Sequence, residues 1–158
     1  MNIFVLDTDI RRCAQYHCDR HVSKMILESV QMLCTALHNR GVEAPYRPTH
    51  AKHPCVLWVE QSWDNFEWLA ELAVELNREY RYRYDRERDH ASIAVLRRIE
   101  SLRYDAAGLT PFAQAMPDEY KAPGDAVAAY RQFYLGEKAA FATWTRRSEP
   151  EWWRAHAA

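Results

Sequence analysis

The sequence predicts an all-α fold in a single domain, residues 1–158, with four to five helices around a long N-terminal helix. Several long segments repeat apolar residues at helical spacing, and the chain contains only four glycines. With 48% hydrophobic and 27% charged residues, the composition is that of a globular protein. A chain of 158 residues is long enough to bury one substantial core.

The first helix is predicted over residues 9–39, and the other elements are expected to pack against it. Thr8 or Asp9 is suited to cap its start, and Gly41 is suited to end it. Residues 2–6, NIFVL, are β-branched and aromatic, which indicates a short strand or an extended arm packed on the core. The predicted core face of this helix carries Val22, Ile26, Leu27, Val30, Leu33, Cys34 and Leu37.

Capping residues, prolines and apolar spacing mark the other helices. Ser62 and Asp125 are suited to cap two of them, whereas residues 40–52 and 105–122 are typical of loops. The tryptophan pair near the C-terminus is expected to pack back on the body. Helices are predicted from Pro54, over Trp63–Tyr84, over His90–Tyr104 and over residues 126–144.

Charge and cysteine content narrow the class of protein. A formal net charge of −1 gives no overall positive field, so any binding to nucleic acid needs a local patch. No segment approaches the roughly 20 apolar residues of a membrane span, and no signal peptide is visible. Without a CxxC pair a structural zinc site is not expected, and the simplest interpretation is reduced thiols in a cytoplasmic location. The cysteines are Cys13, Cys18, Cys34 and Cys55.

The face of the first helix opposite its core stripe carries the candidate catalytic residues. At helical spacing His17, His21, Lys24 and Glu28 fall in one line, which brings two imidazoles, an amine and a carboxylate together. Methionines beside the line favour a cleft over open solvent. The alternative is a solvated face on which Lys24 and Glu28 form an ordinary ion pair.

Candidate substrate-binding residues come from three other segments. The imidazoles and the amine of residues 50–53 precede a helix N-terminus, where an anion such as phosphate is favoured; the alternative is that His53 only caps the helix. The Arg/Tyr run at 78–90 can pair Arg with phosphate and Tyr with bases, or form a self-paired surface. The last helix also carries candidate substrate-binding residues; the alternative there is a packed aromatic face with a basic rim. The candidates are His50, Lys52, His53, Arg83, Lys121, Tyr130, Arg131 and Lys138.

A metal site is a weaker hypothesis. His17 and His21 have the i, i+4 spacing of zinc ligands on a helix, but residue 18 is Cys, so the HExxH signature is absent. A third ligand such as His50, His53 or Glu28 has to be assumed. No glycine-rich phosphate loop or dinucleotide fingerprint is present, and no cofactor is predicted.

Three long motifs carry a resemblance to known families. The segments YHCDRHVSKMILES, THAKHPCVLWV and QAMPDEYKAPGDAVAAYRQFYLGEKAAFATW resemble a family of small proteins found mainly in tailed phages, which brings no activity with it. The order of segments along the chain (arm, first helix, basic loop, middle helix, C-terminal tyrosine-rich segment) is also similar to that of the helical phage pyrimidine-dimer DNA glycosylases. That resemblance implies a nucleophilic N-terminal amine and a glutamate on the first helix. Because Asn2 is too large for routine removal of Met1, the chemistry is expected from Lys24 or Glu28 instead.

The sequence therefore predicts an enzyme acting on a nucleic-acid base or nucleotide, as a DNA glycosylase/lyase or a base-modifying enzyme. Glu28 or a histidine would act as general acid or base, and Lys24 as a charge stabiliser or a Schiff-base amine. DNA or a nucleotide is the expected partner, no association with a membrane is expected, and no oligomeric state is predicted. If a phage encodes the protein, the expected location is the cytoplasm of the host cell. The alternatives are a non-enzymatic phage protein that binds a host partner and a metal-dependent hydrolase using His17 and His21.

Overall fold

The computed structural model describes residues 1–157, and within them it confirms the all-α prediction. The described chain contains seven α-helices, more than the four to five predicted, one short 3-10 helix at Asp118–Tyr120, and no β-strand. One hydrophobic core takes residues from the N-terminal arm and from α1 to α6. The helices are α1 Ile10–Tyr16, α2 Asp19–Asn39, α3 Pro54–Gln61, α4 Trp63–Arg83, α5 Ser92–Ile99, α6 Ala126–Glu137 and α7 Glu151–Ala157.

The predicted first helix is interrupted at His17 and Cys18, which both have extended backbone. The Arg83 guanidinium donates to the carbonyl of Gln15 at 2.8 Å and to that of His17 at 2.7 Å, so these carbonyls have partners outside the helix. The amide of Asp19 donates to the carbonyl of Thr143 at 2.8 Å instead of continuing the helical ladder. Groups distant in sequence therefore break a segment whose own pattern is continuous.

Local capping signals were predicted well. Asp9 caps α1 through its side chain, Ser62 caps α4 and Asp125 caps α6. Gly41, at φ +75°, ends α2 in the left-handed region that glycine favours. The predicted core stripe of α2 is buried, except for Leu27, which is 39% exposed.

The last long helix ends at Glu137, seven residues short of its predicted end at 144. Asp19 explains the early stop, because its carboxylate lies at the start of α2 and attracts the chain that follows α6. The Thr143 hydroxyl donates to Asp19 Oδ2 at 2.9 Å, and the Thr145 hydroxyl donates to the same oxygen at 2.7 Å. The segment after α6 is thereby held in a turn, and Trp152 of α7 packs against Tyr134 as the tail prediction expected.

Residues 2–6 form the extended arm that was one of the two predicted alternatives, and residues 3–6 are almost completely buried. The Phe4 carbonyl accepts from Cys13 Sγ at 3.2 Å, and the Leu6 carbonyl accepts from Arg131 Nε at 2.8 Å. The arm thus runs between α1, α2 and α6. All four cysteines are free and buried. None of the helices in residues 1–157 is long and apolar enough to cross a membrane.

Candidate active site

The arm brings the start of the chain against α2. The α-amine of Met1 lies 3.0 Å from Glu28 Oε1, and the side chains of Met1 and Glu28 are only 4% and 14% exposed. The second carboxylate oxygen, Oε2, is buried and has no hydrogen-bond partner among the described residues. The amine and a carboxylate with one unpaired oxygen are therefore held together below the protein surface.

Asn2 fixes this arrangement through its side-chain amide. Its Oδ1 accepts from the Tyr130 hydroxyl at 2.7 Å and from the amide of Ile3 at 2.8 Å, and its Nδ2 donates to the carbonyl of Ala115 at 2.8 Å. Tyr130 is fully buried in α6. The residue next to the amine is thus tied to two distant parts of the chain.

A small cavity of about 140 Å³ surrounds the amine and Glu28. Its walls come from the arm, from α2 and from α6 with the residue that follows it. We refer to its charged and titratable members as the cavity cluster: Met1, His21, Lys24, Glu28 and Lys138. The remaining lining residues are Asn2, Phe4, Met25 and Phe133.

His21 is the imidazole of the cavity cluster. Its ring stacks on Phe4 with 4.4 Å between centroids, and its Nδ1 lies 2.6 Å from the Tyr134 hydroxyl. Burial lowers the pKa of His21 to about 3, and the nearby positive charges of Lys138 and Lys24 act in the same direction. His21 is therefore neutral at physiological pH and can serve as a hydrogen-bond partner, not as a cation.

Lys24 and Lys138 supply the positive charge at the cavity. Lys24 is exposed, whereas Lys138 is half-buried with its Nζ 4.8 Å from the centroid of the Phe133 ring. Neither lysine forms an ion pair with a carboxylate in the described part of the chain, and Glu28 pairs with Met1 rather than with Lys24. On a solvated face Lys24 and Glu28 were expected to pair with each other. In the structure they do not pair, and both line a cavity together with His21.

His17 does not belong to this site, contrary to the prediction. It lies at the break between α1 and α2, fully buried, with Nδ1 2.8 Å from the carbonyl of Cys13. Burial lowers its pKa to about 4. His17 and His21 therefore do not share a helix face, and within residues 1–157 no group of three or more His, Cys, Asp or Glu side chains is placed to hold a metal ion.

Arg83, which was predicted to bind substrate, lies inside the protein at the break between α1 and α2. Its guanidinium is fully buried and pairs with Asp19 and Glu79, each at 3.1 Å. Both oxygens of Glu79 also accept from Arg147, at 2.9 and 2.8 Å. We refer to Asp19, Glu79, Arg83 and Arg147 as the ion cluster. Four of the five N–H groups of Arg83 donate hydrogen bonds. The acceptors are Asp19, Glu79 and the carbonyls of residues 15 and 17.

The predicted residues of the last helix divide into two groups. Tyr130 and Arg131 have the packing role that was the alternative for the last helix. Tyr130 donates a hydrogen bond to Asn2, and Arg131 donates one to the carbonyl of Leu6. Lys138 lines the cavity. Lys121 is exposed on the loop before α6 and pairs with Asp118 at 2.9 Å, so it does not join the cavity cluster.

The loop before α3 lies beside the start of the chain. His53 caps α3 by accepting from the amide of Cys55 at 3.0 Å, as the capping alternative expected. Burial lowers the pKa of His53, and the nearby α-amine of Met1 acts in the same direction. His50 and Lys52 are exposed on the same loop, and their predicted contact with phosphate stays a prediction.

Sequence reasoning missed the residues that the arm contributes. Met1, Asn2 and Phe4 enter the cavity because the arm is buried, and Phe133 enters from α6. The signal that pointed to the amine was the resemblance to glycosylases with a nucleophilic N-terminus. The predicted packing of residues 2–6 on the core is the second signal, because it brings the first residue close to the helices.

The amine, the glutamate and the cavity all lie within or beside the segment that comparison with known proteins identifies. A family model described as pyrimidine dimer DNA glycosylase matches residues 1–92, more than half of the 158-residue chain. The matched segment contains the arm and α1 to α4, and hence both Met1 and Glu28. No curated protein and no solved structure matches the chain.

Proposed function

Because the chain belongs to the pyrimidine dimer DNA glycosylase family, we propose that it is a DNA glycosylase/lyase whose nucleophile is the α-amine of Met1. The family makes it a DNA glycosylase-like enzyme that acts on DNA bases. The amine chemistry is supported by one observation above all, the 3.0 Å contact between that amine and Glu28 in a cavity. The proposal applies to the polypeptide whose first residue is Met1.

The proposed reaction begins with attack of the uncharged amine on C1′ of the target deoxyribose. The new C–N bond displaces the base, which leaves with the electron pair of the glycosidic bond and is protonated. Water supplies the proton that the departing base takes up. Glu28 accepts a proton from the nitrogen and passes it to O4′ as the sugar ring opens, which gives a protonated imine between the amine and C1′ and leaves Glu28 ionised. Removal of a C2′ proton, also by Glu28, then expels the 3′ phosphate and breaks the strand.

The α-amine is a better candidate than the amine of Lys24 for two reasons. In model peptides α-amines titrate near pH ~7.8 and lysines near ~10.4, so at neutral pH far more of an α-amine is uncharged. Met1 also contacts the carboxylate directly, whereas Lys24 forms no ion pair with it in the described residues. Lys24 and Lys138 are then available to hold the phosphates on either side of the target nucleotide.

The test is borohydride trapping on an oligonucleotide with an abasic site, followed by peptide mapping of the adduct by mass spectrometry. An adduct on the N-terminal peptide that begins with Met1 is expected. The matched control is Lys24→Gln, which should still form it when DNA is saturating. An adduct on Lys24 would move the nucleophile to α2, and the absence of any adduct on abasic or damaged DNA would refute the amine mechanism.

The host-binding protein and the metal-dependent hydrolase have weaker support. The family match names an activity on DNA, and the metal hypothesis lacks a third ligand in the described chain. The lesion that the enzyme removes can be found by repeating the trapping assay with oligonucleotides that carry a pyrimidine dimer, a modified base or an undamaged base. We expect the dimer to give the highest rate, on the strength of the family alone.

A further inference from the structure

A positively charged surface continues from the cavity cluster along α2 toward the N-terminus of that helix. Arg20, Lys24 and Glu28 follow each other at intervals of four residues, so they lie along one face of the helix. At a rise of ~1.5 Å per residue, Arg20 stands about 12 Å from Glu28 along the helix axis. Arg20 is therefore placed beyond the nucleotide that the cavity would hold.

An aromatic ring joins Arg20 to the cavity. The guanidinium carbon of Arg20 lies over the Phe141 ring, 4.1 Å from its centroid. That ring in turn meets the ring of His21 edge-on, with 5.7 Å between centroids, and His21 lines the cavity. Arg20 is exposed and forms no ion pair within residues 1–157. An exposed guanidinium without a carboxylate partner is well suited to bind phosphate.

The acidic neighbour of Arg20 is already paired inside the protein. The Asp19 carboxylate accepts hydrogen bonds from the hydroxyls of Thr143 and Thr145 and from the amide of Thr145. It also forms an ion pair with the buried guanidinium of Arg83 at 3.1 Å. The negative charge of Asp19 is therefore balanced within the fold, and the charge of Arg20 is left without a partner at the surface.

The same hydrogen bonds bring a second arginine to this surface. Arg146 follows Thr145 directly, as Arg20 follows Asp19, so the bond between Thr145 and Asp19 keeps the two arginines close together. Arg146 is exposed, forms no ion pair in the described chain, and has φ +59°, in the left-handed region that favours glycine. Its Nη1 donates to the Tyr82 carbonyl at 2.9 Å, and the Tyr82 hydroxyl donates to its carbonyl at 3.3 Å. Tertiary contacts thus hold this residue in a conformation that costs energy.

The Arg/Tyr run at 78–90 contributes one tyrosine to this surface. Two of its arginines pair within the protein, Arg83 in the ion cluster and Arg81 with Asp89 at 3.3 Å. Tyr82 is 45% exposed, and its ring centroid lies 5.7 Å from the guanidinium carbon of Arg146. On this surface the unpaired positive charge therefore comes from α2 and from the segment after α6, not from the run itself.

We propose that Arg20 and Arg146 form a phosphate track, which holds the DNA backbone on one side of the target nucleotide. The track rests on the proposed function, because it takes the target nucleotide to lie in the cavity. Phosphate contacts fix the register of a protein on DNA without reading its bases. The two arginines are positioning residues, which place the target nucleotide and do not touch the reacting atoms.

Arg11 offers a matched control for the loss of one charge. It is exposed on α1 and, like the two arginines of the phosphate track, forms no ion pair in residues 1–157. It lines a groove together with residues of α4 and α5, and that groove shares no lining residue with the cavity. Arg11→Gln therefore removes the same charge from a surface outside the proposed track.

The first experiment measures the salt dependence of binding to a duplex whose target nucleotide is replaced by a tetrahydrofuran abasic analogue. Arg20→Gln and Arg146→Gln should each lower the slope of log affinity against log salt by about one, and the double variant should lower it by about two. Arg20→Lys should keep the wild-type slope, because it retains the charge, and Arg11→Gln should keep it as well. Thermal unfolding midpoints show whether each variant is folded. If Arg146→Gln lowers the midpoint, Arg20→Gln decides alone, since its guanidinium has no ion pair to lose within the described chain.

The second experiment locates the track along the DNA. The duplex is shortened on the 5′ side or on the 3′ side of the analogue, one side at a time. On one of the two shortened duplexes Arg20→Gln should bind as well as wild type, because the phosphate that Arg20 holds is missing. On the other, its several-fold weaker binding should remain. The single-turnover rate of imine trapping at saturating full-length abasic DNA should stay near that of wild type.

Two results would overturn the inference. A double variant with the wild-type slope would place the DNA backbone elsewhere. Weaker binding that persists on both shortened duplexes would mean that the arginines contact the target nucleotide itself and form no track beside it. If wild type binds the duplex but forms no adduct with abasic DNA, the amine mechanism fails, and the slopes still decide whether Arg20 and Arg146 hold the backbone.

Discussion

The ion cluster and the cavity cluster each contain a largely buried carboxylate of α2, Asp19 in the first and Glu28 in the second, yet they differ in how completely their charged groups are paired. In the ion cluster all four carboxylate oxygens of Asp19 and Glu79 accept hydrogen bonds. In the cavity cluster Glu28 Oε2 has no partner in the described chain, and the two lysines have no carboxylate. Buried polar groups in proteins are normally paired, so the unpaired Glu28 Oε2 supports the proposal that a ligand supplies the missing partner in the cavity cluster.

The largest effect is expected from Glu28→Gln, which keeps the shape of the side chain and removes its charge. The imine-trapping rate should fall by roughly 10²- to 10⁴-fold, the usual contribution of a general acid or base. The unfolding midpoint should fall modestly, because the ion pair with the α-amine of Met1 is lost while the Gln carbonyl can still accept a hydrogen bond from it. Retention of most of the wild-type single-turnover rate would show that Glu28 is not the acid or base.

In the ion cluster a substitution is expected to lower the stability of the fold rather than the rate of the reaction. Glu79→Ala leaves the buried guanidinium of Arg83 without one of its two carboxylates and should lower the free energy of unfolding by roughly 3–5 kcal/mol. The control on the same helix is Glu75→Ala, which breaks a 3.0 Å pair with Arg78, itself 63% exposed, and should cost less than about 1 kcal/mol. Both are measured by urea unfolding. Equal losses in the two variants would mean that burial of the ion cluster does not matter energetically.

The features that sequence predicted and those that it missed differ in the range of the interactions behind them. Asp9, Ser62 and Gly41 were identified because a cap depends on residues within one turn. The break at His17 was missed because Arg83, 66 residues away, produces it. Helical spacing alone therefore extended one helix through a position where tertiary hydrogen bonds end it.

The same distinction applies to the site. Lys24 and Glu28 were found because spacing along a helix is local. The amine of Met1 was not placed, because the path of the arm depends on the bond between Tyr130 and Asn2, separated by 128 residues. Periodicity identified the face of α2, and only the fold could show which group of the arm meets it.

The two buried histidines near the cavity predict how stability depends on pH. The folded-state pKa is lowered from 6.5 to about 4 for His17 and to about 3 for His21, mainly by burial. The unfolded chain therefore binds more protons below pH 6.5, and stability should fall as pH drops from about 6.5 toward 4. For His17 the full shift corresponds to about 3 kcal/mol.

Urea unfolding of wild type and His21→Phe between pH 7 and pH 4.5 tests this dependence. The variant keeps a ring stacked on Phe4 and should lose stability less steeply toward low pH. Identical slopes in the two proteins would show that His21 does not titrate below its ordinary pKa. The result also bears on the proposed site, because a His21 that stays neutral acts within the cavity cluster through hydrogen bonds.

The smallest effect is expected from substituting the two cavity lysines. It tests most directly whether the cavity cluster, unlike the ion cluster, obtains its missing counter-charge from a ligand. If Lys24 and Lys138 lack carboxylate partners because DNA phosphates supply the counter-charge, each substitution by Gln should reduce the slope of log affinity against log salt by about one. The double variant should reduce it by about two, while the trapping rate at saturating DNA stays near that of wild type. Arg78→Gln removes the same charge from a pair with Glu75 outside the cavity and should leave the slope unchanged. An unchanged slope in the double variant would place the phosphates elsewhere, with the exposed His50 and Lys52 of the neighbouring loop as the next residues to substitute.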